Sequence, residues 1–184
     1  MGERKQPGGM AAVAAFLSFA ALLIFSRAAV AQSSPPYYVN REYRFAIIFP
    51  GEPRARDITF RTFSGDPFPA RQLYIERGTE RFTVTVVDFS TGPAVDQLIV
   101  FNAAAALRPR GEVLLDLARD YGGRSGMPGR QLDIVESNGH QLRASVYMWD
   151  HRLFITEASA APGSSDALQF TESITLLGPD GNPV

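Results

Sequence analysis

Two histidines, a single tryptophan and scattered acids and arginines are the residues of this chain that could do chemistry. A hydrolytic triad needs a nucleophile and a base within hydrogen-bond reach. His140 follows a Ser-Asn-Gly turn and His151 sits in an Asp-His turn, so the two fall at opposite ends of one strand. No serine stands in a Gly-x-Ser-x-Gly setting. Both histidines are therefore read as solvated loop residues. There is no cysteine, and Asp66, Asp88, Asp116 and Asp120 are scattered, so neither a metal nor a cofactor is expected. The only lysine is Lys5, which excludes Schiff-base chemistry and a Walker-type phosphate loop from the rest of the chain.

Contact chemistry is the better use of the residues that remain. Trp149, Arg152, Arg71, Arg130 and Asp88 are the candidates for contact or ligand binding. Trp149 opposite Arg152 is spaced for a cation–π pair across a hairpin. Arg71 and Arg130 follow Pro-Ala and Pro-Gly and abut strands. Their forked guanidinium groups suit a carboxylate. A buried structural pair with Asp88 or Glu76 is the first expectation, and an anionic ligand the second. Asp88 shares a strand face with Phe82, Val84 and Val86. It is either a buried acid with a raised pKa or, as favoured here, a strand-end acid that caps the next turn.

The element that must position Trp149 and Arg152 is a hairpin over 139–158. A two-residue Asp150-His151 turn sets Trp149 opposite Arg152, Met148 opposite Leu153, Tyr147 opposite Phe154 and Val146 opposite Ile155. Side chains alternate along a strand, so Leu142, Ala144, Val146, Met148, Leu153 and Ile155 share one face. Tyr147, Trp149 and Phe154 share the other. Both faces are apolar near the turn, which predicts a sheet covered on both sides.

Strands are also predicted over 42–49, 57–63, 70–76, 81–89 and 131–136, with a short last one at 173–177. A helix is predicted from a Ser-Thr-Gly-Pro start at 90–93 through Leu107, with Leu98, Phe101 and Ala105 at helical spacing. Ser164 or Ser165 can cap a second helix through Glu172. The stretch 112–121 fits a helix or a strand, and periodicity does not decide over so short a run.

Residues 1–31 carry Arg4 and Lys5, then an apolar run, then Ala29-Val30-Ala31, the pattern of a secretory signal peptide cut after Ala31. A polar lead-in (32–41), one domain (42–177) and a polar tail (178–184) follow. Location is expected to be periplasmic or secreted, with no membrane span after cleavage. Without cysteine, the domain must be stable by packing alone. Beyond Ala31 the chain has fifteen basic residues, all arginine, against eighteen acidic, a net charge of −3. That balance argues against nucleic acid as a partner.

Five runs together resemble a known group: FAIIFPGEP (45–53), FPARQLYIERGTERFTVTVVDFS (68–90), PGRQLDIVESNG (128–139), HRLFITEASA (151–160) and ALQFTESITLL (167–177). They look like small secreted bacterial proteins related to the PsbP-like superfamily. The resemblance covers most of 42–177 and rests on aromatic and turn positions. It implies an α+β fold, an antiparallel sheet of about six or seven strands with helices on both faces, an α/β/α sandwich. It also favours a strand over 112–117. Better-known members are binding or assembly factors, such as an extrinsic subunit of photosystem II and a nuclear-import factor that binds a small GTPase. No contact residue of either is matched here. The reading is thus a non-enzymatic binding or accessory domain of the cell envelope, with a protein or envelope component as partner. An envelope hydrolase or a small-ligand carrier is the alternative.

Overall fold

A computed structural model describes residues 1–2, 37–92 and 96–184. The expected signal peptide beyond Gly2, its expected cleavage point and the expected helix start at Pro93 lie outside the described residues. Among the described residues from 37 onward the chain forms two antiparallel sheets and two α-helices.

The large sheet holds β3 (Arg54–Arg61), β4 (Pro67–Arg77), β5 (Glu80–Asp88), β6 (Gly111–Ala118), β7 (Gly129–Glu136), β8 (Gln141–Trp149) and β9 (Arg152–Ala160). Their spatial order is β3-β4-β5-β9-β8-β7-β6. Two meanders, β3 to β5 and β6 to β9, join where β9 pairs with β5. Stretch 112–121 is thus strand up to Ala118, the alternative favoured by the family resemblance.

The hairpin register is the one the alternation predicts, from Trp149 opposite Arg152 to Val146 opposite Ile155. The turn is unusual in sequence. Asp150 (φ 47°) and His151 (φ 58°) are both left-handed, as a two-residue hairpin of this twist requires. Such a conformation costs about 1–2 kcal/mol for a residue with a Cβ. His151→Gly is therefore expected to stabilise the protein by about 1 kcal/mol, read as a higher urea midpoint.

The buried apolar side chains of the sheet fall into two clusters. In one, Val100, Ala103 and Ala104 of α1 (Asp96–Leu107) join Leu132, Ile134, Leu142, Val146, Met148 and Leu153. In the other, Ala167 and Phe170 of α2 (Ser165–Glu172) join Phe82, Val84, Val86 and Phe154. Phe45 and Ile47 join the same cluster from a second sheet. The Ser164 hydroxyl caps α2 by accepting from the Ala167 N–H at 3.3 Å.

The second sheet, β1 (Tyr38–Asn40), β2 (Phe45–Ile47) and β10 (Thr175–Leu176), corrects three expectations. The lead-in does not run to 41, because Tyr38–Asn40 pairs with β2. The strand expected over 42–49 shrinks to three residues, since Arg44 takes a left-handed turn at φ 56°. The polar tail folds back: the Val184 N–H donates to the Leu176 carbonyl at 3.1 Å. Val184 also packs on the core.

Candidate contact site beside α1

The row Leu98, Phe101 and Ala105 signals a helix, but it is not the face that α1 buries. Val100, Ala103 and Ala104 are buried, whereas Leu98 is 55% and Phe101 45% exposed. Apart from Asp96, Gln97 and Asn102, α1 is apolar on its outer side as on its inner one, and such a helix asks for cover on both.

Two guanidinium groups lie against the Phe101 ring. Arg108 Cζ lies 5.2 Å and Arg130 Cζ 5.4 Å from its centroid. Arg108 comes from a 3-10 turn (Arg108–Arg110) that ends α1, and Arg130 from β7. Asp116 of β6 holds both. Its Oδ2 accepts from Arg108 Nε at 2.7 Å, with Nη2 at 2.6 Å, and its Oδ1 accepts from Arg130 Nε. Register explains the meeting: Asp116 faces Leu132 and Ala118 faces Arg130, so Asp116 and Arg130 are diagonal neighbours on one face. Burial pushes the Asp116 carboxyl up, but the two arginines outweigh it and its pKa is lowered. Two cations and one anion leave the cluster with net charge +1 at neutral pH.

The cluster borders a cleft of about 550 Å³ lined by Leu98, Phe101, Ala118, Asp120, Gly129 and Arg130, among others. Gly129 lets the wall form. A Cβ there would sit against the Tyr147 ring and 2.5 Å from the Arg119 carbonyl oxygen. The cleft thus offers an aromatic face, an aliphatic wall and the unused guanidinium donors of Arg130. Asp116, fixed between two arginines, is a charge anchor and a poor proton acceptor.

The other candidates from the sequence lie elsewhere. Trp149, Arg152 and Asp88 meet at the hairpin tip, where Asp88 and Trp149 flank Arg152 on neighbouring strands. No cation–π pair joins Trp149 and Arg152 among the described residues. Arg152 Nη1 instead lies 4.0 Å from Asp150 Oδ2. Trp149 packs against the core and is half-exposed. Asp88 is the turn-capping acid: its Oδ1 accepts from the Ser90 N–H at 2.8 Å. Burial pushes its carboxyl up, Ser90 pulls it down, and the result is a lowered pKa. Neither Arg71 nor Arg130 makes the pair expected with Asp88 or Glu76. Arg71 Nη1 donates to Asp57 at 2.7 Å, because Asp57 stands directly opposite it on β3.

Sequence reasoning passed over Phe101 and Arg108. The available signal was the α1 composition, which leaves no polar side for solvent.

No protein-family model matches the chain, and no curated protein matches it. Among solved structures, the chain is similar to the solution structure of cyanobacterial PsbP (CyanoP) from Synechocystis sp. PCC 6803. The TM-score is 0.48 and the identity 14%, over 77% of this chain and 91% of that one. The likeness is one of fold alone.

Proposed function

We propose that this chain is an exported, non-enzymatic binding or accessory domain of the cell envelope, and that it meets its partner at the α1 cleft. The observation that carries this reading is Phe101, exposed beside two guanidinium groups on a helix without a polar side. Aromatic residues and arginine dominate binding hot spots. The partner that suits the cleft is a protein segment or envelope component with an apolar group for Phe101 and Leu98 and an acidic group for Arg130. Export rests on the signal-peptide pattern ending at Ala31. Among the described residues no helix is long and apolar enough to cross a membrane. The two apolar clusters, one with α1 and one with α2, support reading the fold as an α/β/α sandwich.

Two observations weigh against the alternatives. His140 and His151 bracket all nine residues of β8, which at strand rise separates them by about 30 Å. A hydrolase that uses both has no support in that geometry. A carrier would use the apolar hollow between Phe60, Phe63, Phe89 and Ile99, but its 260 Å³ lies below the usual range for ligand pockets, about 300–1,000 Å³.

Affinity purification of the exported chain from its native envelope fraction tests the reading. One component should be recovered reproducibly at physiological salt. Recovery of none in repeated purifications would overturn it.

A further inference from the structure

One edge of the large sheet, β6, is rich in exposed apolar side chains. Edge strands are commonly blunted by charge, proline or a covering segment. In β6, Val113, Leu114, Leu115 and Leu117 are all exposed, Leu114 at 59%. The strand pairs with β7 on one side only.

The residues on one face of β6 form an ordered row. Glu112 stands opposite Val135, Leu115 opposite Asp133 and Leu117 opposite Gln131. Arg119 continues the row, since its N–H donates to the Gly129 carbonyl at 3.0 Å. An acid, two leucines and a base therefore follow one another. Reversed, the row is its own complement. Neither Glu112 nor Arg119 makes an ion pair among the described residues, although Arg119 Nη1 donates to Gln131 at 3.2 Å.

We propose that β6 is the interface for a second copy of this chain, joined edge to edge and antiparallel about a twofold axis normal to the sheet. Each Glu112 then faces Arg119 of the other copy, and each Leu115 faces Leu117. On the opposite face Val113 meets Ala118. Asp116 meets its counterpart at the axis, where Arg108 and Arg130 already neutralise it. The order of charges along the row favours this occupant over a segment of another protein, because a second copy supplies the same acid, two leucines and base in reverse. This interface is independent of the reading of the α1 cleft, and neither depends on the other being right.

Light scattering on the protein purified after export tests the proposal. The native chain should be a dimer that dissociates on dilution. Glu112→Arg sets two arginines together at each end of the interface and should weaken dimerisation at least about tenfold, because like charges across an interface are strongly disfavoured. The double variant Glu112→Arg/Arg119→Glu should restore the dimer, which loss of folding would not allow. Both positions are exposed on the strand edge, and circular dichroism should be unchanged in each variant. A monomer at every concentration overturns the proposal. So does a dimer that ignores Glu112→Arg, or one that the second reversal fails to restore.

Discussion

Phe154→Ala is expected to lower the free energy of unfolding by about 3–5 kcal/mol, the range for emptying a buried phenylalanine site. Phe154 is fully buried on a central strand, paired across to Tyr147 and Val86. Its ring meets Phe45 of the small sheet edge-on, with centroids 6.3 Å apart. The loss therefore acts on the contact between two sheets as well as within one. Urea unfolding would read it as a large drop in midpoint at an unchanged slope. Leu98→Ala, on the outer side of α1, serves as the contrast and should stay within about 0.5 kcal/mol.

Arg110→Met is the second large effect, expected to cost about 2–4 kcal/mol, somewhat under the value for breaking a fully buried ion pair. Arg110 leaves the 3-10 turn and ties two strands together. Its Nη2 lies 2.6 Å from Glu136 of β7, and its Nη1 bonds Glu157 of β9. The side chain of Arg110 is 24% exposed, against 12% for Glu136 and 16% for Glu157. Removing the cation leaves two largely buried carboxylates close together. The Ser159 hydroxyl donates to Glu136 as well. Gly111 makes the approach possible, since a Cβ there would sit on the Val135 carbonyl oxygen and 2.7 Å from its carbon.

The same network sets an acid dependence. Burial pushes the Glu136 carboxyl up, but Ser159 and Arg110 outweigh it and its pKa is lowered. A carboxyl depressed in the folded state adds stability above its ordinary pKa and loses it as pH falls through the folded value. The stability gap between the native protein and Arg110→Met should therefore be full near neutral pH. It should shrink once the pH falls below the ordinary glutamate value of about 4.3. Unfolding curves of both proteins at the two acidities check the sign.

Much of this architecture was legible before any coordinates. The register of the hairpin was legible because its two-residue turn fixes every pairing, but its bounds, expected at 139–158, fall at 141–160. The three-stranded sheet was not legible. Its strands are two or three residues long, and β10 reaches β2 from the far end of the chain. The contact cluster was half legible: Arg130 stood out, but Arg108, Asp116 and Phe101 converge through the order of α1, β6 and β7, which periodicity does not encode. Arg71 shows the same limit, since its partner Asp57 is chosen by cross-strand register.

The most direct test of the central claim sets the native chain beside Phe101→Ala in parallel purifications from the envelope fraction. Phe101 is exposed, so the variant should fold as the native protein does, which its unfolding curve would verify. The recovered component should fall by about tenfold or more, as for a binding hot spot. Equal recovery by the two proteins would contradict it.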